Sequence, residues 1–243
     1  MTCLVEDFVY NDLNTTANQL INVGLNNLFG EITWFYCTES STVVNRCVTY
    51  NYQDSSPQRP VWTTGTLARG SWTDSSVFGL PHATFFNASD DSSFDVQGNT
   101  EGSTIYFEHE KGTDEALANG VTAITSNIES GDFDITQARS STGQQTGVAT
   151  FKGDGEFLMK IRRFIPDFLS QTGNTQVTLQ LRNYPNNSQA SSPLGPFTIT
   201  SSTDKIDTRA RARAISLKVA NTAVGQSWKL GTFRLDTQPD GRR

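Results

Sequence analysis

A mainly β fold is predicted by three features of the 243-residue sequence: a polar composition rich in Ser, Thr, Asn and Gly, apolar residues recurring at every second position, and turn-forming stretches between those runs. Apolar residues make up 35% and charged residues 18%, with 15 Phe and only two Met, a balance that suits short aromatic strands better than long helices. The length allows one large or two ordinary domains, each able to bury a core. Short aromatic strands at regular spacing fit either propeller blades or a sandwich.

The first element is the exception to the period of two. Residues 11–29, NDLNTTANQLINVGLNNLF, place Leu13, Ala17, Leu20, Ile21, Gly24 and Leu28 at intervals of three or four. That spacing predicts one N-terminal amphipathic helix over 12–28, with Asp12 or Asn11 as N-cap and Gly30 beyond its end. Its apolar face, with Leu13, Leu20 and Ile21, must dock on a neighbouring layer, because a helix this short is not stable alone.

After it the period becomes two. EITWFYC and VNRCVTYNY are aromatic and β-branched strands, followed by the turn-rich QDSSPQRP and then VWTTGTLA, successive strands of an antiparallel meander. STIYFEHE, VTAITSNIES, EFLMKIRRFI, QVTLQLRNY, GPFTITS, RARAISLKVA and WKLGTFRLD are further strands. In the last, Trp228, Leu230, Phe233 and Leu235 form a core strand with Gly231 as a bulge that switches the inward parity. KGTDEALANG interrupts the strands near 111–120 and divides the chain into residues 1–115, a helix with a propeller-type meander, and 116–243, an antiparallel sandwich-like domain. NASDDSSFDVQGNTEG, SSTGQQTGV and PNNSQASSPLGP have the composition of surface loops.

The net charge of −6 is unevenly spread. Residues 205–243 hold nine Lys/Arg against three Asp/Glu, and the rest hold ten against 22. A chain this acidic is not a general DNA binder, since affinity for phosphate comes mainly from clustered cations. Cys3, Cys37 and Cys47 have no metal-type spacing and read as free thiols of a reducing compartment. No apolar run approaches the roughly 18 residues of a membrane span, and no charged-then-apolar leader opens the sequence, so the expectation is a soluble product made in the cytoplasm.

Catalytic chemistry finds little footing. Glu108, Glu110, Asp132 and Asp134 are the acid/base candidates, but carboxylates at i, i+2 on a strand usually form a solvated face. His109 lies on the opposite face from Glu108 and Glu110, and His82 follows a proline in an expected turn, so neither metal nor cofactor is implied. SDDSSFDVQGN lacks the spacing of a calcium loop. Nucleophile and phosphate-loop motifs are absent, and the chain is expected not to be an enzyme. Trp34, Phe35, Tyr36, Tyr50, Tyr52, Trp62 and Trp72 suit either a core or a sugar-binding platform.

The stretch TRARARAIS places Arg209, Arg211 and Arg213 on one face of a strand, the face that Ile215, Leu217 and Val219 occupy further along if no bulge intervenes. The alanines between them permit close approach of another layer. The arginines are expected to make carboxylate contacts between strands or subunits, in preference to nucleic acid.

Several stretches together resemble a known family. VEDFVYNDLN, FGEITWFY, NRCVTYNY, LARGSW, YFEHEKGTD, IRRFIPDF and the C-terminal TRARARAISLKV…GQSWKLGTFRLDTQPDGRR look like the C-terminal portion of tailed-bacteriophage tail proteins of the nozzle or tail-hub type, also called tail tubular or packaged-DNA stabilisation proteins. The resemblance implies a structural virion protein: a β-propeller platform with appended β-domains, assembled with other tail proteins as a ring of about six copies around the DNA exit channel. It implies no catalytic residues and no cofactor, and genomic DNA would pass without specific binding because an acidic lining repels it. The chain departs from the pattern in that VEDFVYNDLN follows Met1 almost directly, whereas in the family earlier blades precede it. About the first hundred residues would supply one or two blades, and closure needs at least about four. The expectation is an incomplete propeller completed by a second polypeptide, which Leu13, Leu20 and Ile21 would help dock. Arg209, Arg211 and Arg213, with the basic end Arg242 and Arg243, would meet neighbours. A receptor- or glycan-binding tail module is the alternative.

Overall fold

The computed structural model describes residues 5–57, 59–74, 77, 79–86, 104–117, 120–139, 145–150, 157–184 and 192–241. It divides into two compact units, Met1–Gly112 with Leu117–Asn119, and Thr113–Ala116 with Gly120–Arg243. The fold is mainly β, built of several antiparallel sheets. No helix among the described residues is long and apolar enough to cross a membrane.

The helix expected over 12–28 does not form. Helix α1 spans Glu6–Asp12, a 3-10 turn spans Thr15–Leu20, and Asn22–Asn26 is strand β1. Three local preferences defeat the helical spacing. Thr, Asn, Val and Gly are weak helix formers. The Asn14 side chain accepts the Thr16 N–H at 3.0 Å and diverts the backbone into a tight turn. Ile21 is already extended, at φ −64° and ψ 124°. In β1, Val23 and Leu25 point outward while Gly24 and Asn26 point inward. Gly24 is required there, because a Cβ would lie 2.7 Å from the Trp72 ring.

The first unit continues with β2 (Glu31–Tyr36), β3 (Arg46–Ser56) and β4 (Arg59–Gly65), which join β1 in a four-stranded sheet in sequence order. Strands β5 (Ser71–Thr73), β6 (His82–Phe86) and β7 (Thr104–Glu108) form a three-stranded sheet, also in sequence order. Residue 82 therefore begins a strand and does not sit in a turn. Phe35, Cys37, Val44 and Cys47 form a core with Ala17, against which Leu67 and Trp72 pack. Burial pushes the Cys37 thiol above its usual value and the Cys47 thiol up to about 11, so both are inert neutral groups. Cys3 lies outside the described residues.

Strands β8 (Asp114–Leu117) and β9 (Gly120–Ala123) pair where an interruption was expected. Beyond them come β10 (Ser126–Glu129), β11 (Thr136–Arg139), β12 (Gln145–Thr150), β13 (Met159–Ile165), β14 (Phe168–Thr172), β15 (Thr175–Arg182), β16 (Ser192–Ile199), β17 (Ile206–Ala212), β18 (Ala214–Asn221), β19 (Ser227–Leu230) and β20 (Arg234–Pro239). A four-stranded sheet runs β10-β18-β15-β16 and a three-stranded sheet runs β17-β13-β20, while β11-β12 and β14-β19 are separate pairs. Val177, Leu179 and Leu181 of β15 lie opposite Val219, Leu217 and Ile215 of β18. These six join Met159, Ile161, Phe164, Ala210 and Ala212 of the other sheet in one hydrophobic cluster. Each fully buried Val, Leu or Ile contributes about 1.5–3 kcal/mol there.

Two runs read as single strands are broken. RARAISLKVA changes sheet at Arg213, a bend between β17 and β18. WKLGTFRLD is divided between β19 and β20, because Gly231 turns against Asp167 and donates its N–H to the Asp167 carbonyl at 2.7 Å. A Cβ at Gly231 would meet that carbonyl oxygen at 3.1 Å.

Candidate functional site

The site begins with the pleat of β13 and β17. Alternation along β17 turns Ala210 and Ala212 into the core, 5% and 0% exposed, and leaves Arg209 and Arg211 in solvent. On β13, Met159 and Ile161 point inward and Lys160 and Arg162 outward. The register places Lys160 opposite Arg211. A bulge between Ile161 and Arg163 then shifts the inward parity to Phe164. Lys160, Arg162, Arg209 and Arg211 line a concavity of about 620 Å3 with Thr208, Ala210 and Asp240.

Four cations and one carboxylate line this groove. The Arg211 Nε lies 2.6 Å from Asp240 Oδ2, and its Nη2 donates to the Asp240 carbonyl at 3.0 Å. Asp240 is held in place beside β13 by its N–H, which donates to the Leu158 carbonyl at 2.7 Å. No other cation of the groove has a carboxylate partner among the described residues. Lys160 stands directly opposite Arg211 in the register, so like charges are placed side by side along the groove. At the far end of β17 the cations are paired instead: Arg163 Nε meets Asp207 Oδ1 at 2.8 Å and Lys205 approaches Asp207 Oδ2 at 3.4 Å. Arg163 holds the exposed Asp207 carboxyl below its usual range.

Of the arginines singled out in the sequence, the structure brings together Arg209 and Arg211. Arg213 stands apart at the bend, where its N–H donates to the Arg182 carbonyl at 3.0 Å. The expectation that all three share a face with Ile215, Leu217 and Val219 therefore fails, because the change of sheet resets the parity. Lys160 and Arg162 escaped notice, although MKIRR carries the same period-two cations as TRARA. Leu13 makes an isolated bridge to Thr38, and Leu20 and Ile21 are each 40% exposed. Arg242, Arg243 and the SDDSSFDVQGN stretch lie outside the described residues.

A second surface lies on the first unit. Gly24, Phe35 and Cys47 lie on one face of the β1-β2-β3-β4 sheet and pack towards Trp72, whose indole N–H donates to the Leu25 carbonyl at 2.7 Å. The opposite face carries Val23, Leu25, Ile32, Trp34, Tyr50 and Trp62, brought into adjacent rows by the register. Val23 is 52% and Leu25 45% exposed, and Trp34, Tyr50 and Trp62 are half-buried. The Trp62 ring packs at a tilt against Tyr50 and Trp34, at centroid distances of 4.7 Å and 6.0 Å. This face is partly covered: Tyr36 and Val48 on it are buried, while Val23 and Leu25 stay open to solvent.

The acid/base candidates do not converge. Glu108 pairs with Lys111 at 2.5 Å, Glu110 accepts from Asn26 Nδ2 at 2.9 Å, and Asp132 meets Arg182 at 3.0 Å, while Asp134 is buried. The two histidines do come near each other, which the sequence concealed. Arg69 Nε donates to His109 Nε2 at 2.9 Å, the Arg69 guanidinium lies 3.7 Å from the Phe107 ring centroid, and Trp72 lies 4.5 Å from His109. Tyr106 hydrogen-bonds and stacks on His82. Burial, then the Arg69 charge, then His82 lower the His109 value to about 4, so its ring is neutral and serves as an acceptor. No group of three His, Cys, Asp or Glu suited to a metal occurs among the described residues.

No protein-family model matches the chain, and no curated protein matches it.

Proposed function

We propose that this protein is a structural subunit of a bacteriophage tail, of the nozzle or hub type, that forms part of a ring around the DNA exit channel and helps retain and deliver the genome. The observation that carries the proposal is the partly exposed apolar face of the β1-β2-β3-β4 meander, where Val23 and Leu25 stand open to solvent. The four antiparallel strands in sequence order serve in this reading as one propeller blade and the three-stranded meander after them as part of the next, and a blade is covered on both faces. In this reading Val23, Leu25, Trp34 and Trp62 receive a blade from a second tail polypeptide. The two sheets that share the large cluster of the second unit serve as an appended sandwich. The acidic first unit leaves DNA free to pass. The reading assigns the chain no catalytic role.

The test is to purify the chain together with the other tail proteins of its virion and to average single-particle images. The proposal requires a ring with this chain in every subunit, and its loss when Val23 and Leu25 are both replaced by Asp. Intact rings with that variant would contradict it.

The Trp34–Trp62–Tyr50 row also suits a glycan-binding module, since sugars lie against aromatic faces. Titration with host surface polysaccharide separates the two readings. The structural reading requires no saturable binding. Micromolar binding abolished by Trp62→Ala would favour the adhesin.

A further inference from the structure

The groove of Lys160, Arg162, Arg209 and Arg211 has a counterpart on the other unit of the same chain. Glu31, Asp54 and Glu110 form an acidic cluster: Asn26 is the cross-strand neighbour of Glu31 and its side chain donates to Glu110 at 2.9 Å, while Asn51, opposite Glu31 on β3, accepts the Asp54 N–H at 2.8 Å. Asp54 and Glu110 are exposed. Among the described residues no cation pairs with any of the three. Burial, and after it the repulsion of Glu110 and Asp54, raise the Glu31 carboxyl above its usual value. Across the chain, residues 1–112 hold four Lys/Arg against 13 Asp/Glu, and residues 113–243 hold 15 against 12.

We propose that the cationic groove of one copy receives the Glu31–Asp54–Glu110 carboxylates of a second copy. The contact joins two different surfaces, so it is head-to-tail and propagates until it closes into a ring. Two clusters that each repel themselves relieve that repulsion only in each other's presence, which sets direction and register as well as affinity. The groove already accepts one carboxylate, Asp240 on Arg211, so the chemistry of the incoming group is represented in it. The first unit is too acidic for the same chain to gather a nucleic-acid backbone readily, which favours a carboxylate occupant. This inference rests on the ring assembly proposed above and specifies its contact.

Charge reversal tests it on the full chain. One variant carries K160E and R209E, and a second carries E31K and D54K. Each alone should assemble at least about tenfold more weakly than the unmodified protein, measured by sedimentation at low salt. Mixed in equal amounts they should recover assembly, because every contact in an alternating ring again pairs opposite signs. Matching near-ultraviolet circular dichroism establishes that each variant is folded. If either fails to fold, the milder K160Q/R209Q and E31Q/D54N variants replace them, each expected to weaken assembly. Unmodified protein that assembles while both variants assemble equally well would overturn the groove contact and leave the ring standing. A monomer at every concentration would overturn both. Tight binding of a single-stranded oligonucleotide, lost in K160E/R209E with assembly intact, would assign the groove to phosphate and overturn the proposal.

Discussion

Gly24 has no room for a side chain. A methyl group there would press on the Trp72 indole, whose N–H is committed to the Leu25 carbonyl, so the ring cannot swing aside without losing that bond. Gly24→Ala should destabilise the first unit by about 1–3 kcal/mol, read from the shift in denaturant midpoint. An unchanged midpoint would mean that Trp72 packs elsewhere. His109 allows a second prediction. Its ring accepts from Arg69 and titrates near 4, whereas in the unfolded chain it titrates near 6.5. The unfolded state therefore binds the proton first as pH falls. Stability from this group is complete above about pH 6.5 and declines towards pH 4. NMR titration of the His109 ring should give a midpoint near 4, and a midpoint near 6.5 would show that the ring is solvated. Neither histidine's setting was legible in the sequence, because the Arg69 and Trp72 that surround His109 are about 40 residues away in the chain.

At the scale of elements, β17 shows how far alternation reaches. Its two faces were separable from the sequence, and the alanines do allow a close layer. The break at Arg213 was not visible, because nothing in RARAISLKVA marks where one sheet ends and the next begins. Tertiary packing decides it: Ala212 pairs with Met159 and Ala214 with Arg182, in different sheets. The two faces should respond oppositely to substitution. Ala212→Leu forces extra atoms into a site with no exposure and should cost about 1–3 kcal/mol, while Arg209→Ala should change stability by less than about 0.5 kcal/mol. Equal effects in equilibrium unfolding would contradict the assignment of faces. The helix expected over 12–28 failed for a related reason. Apolar spacings of three and four arose from a 3-10 turn followed by a strand, and the poor helix formers among them were the better guide. The period-two run QVTLQLR was legible because every second residue meets the core. The short strands β5, β6 and β14 were not, since three to five residues carry too little pattern.

Over the whole molecule, charge and apolar surface are distributed as in a part that meets neighbours. One sheet of the first unit leaves Val23 and Leu25 exposed, that unit carries most of the acid, and the second unit gathers cations in a groove. The charge imbalance was readable from the sequence, but the groove was not, because Lys160 and Arg162 join Arg209 and Arg211 only through the pairing of β13 with β17. On the proposed reading, assembly would cover all three surfaces. The most direct test of that account is sedimentation of the purified full-length chain at low salt over a wide concentration range. The account predicts association into closed species of several copies, weakened as salt is raised. A monodisperse monomer at every concentration, unfolding cooperatively on its own, would contradict it.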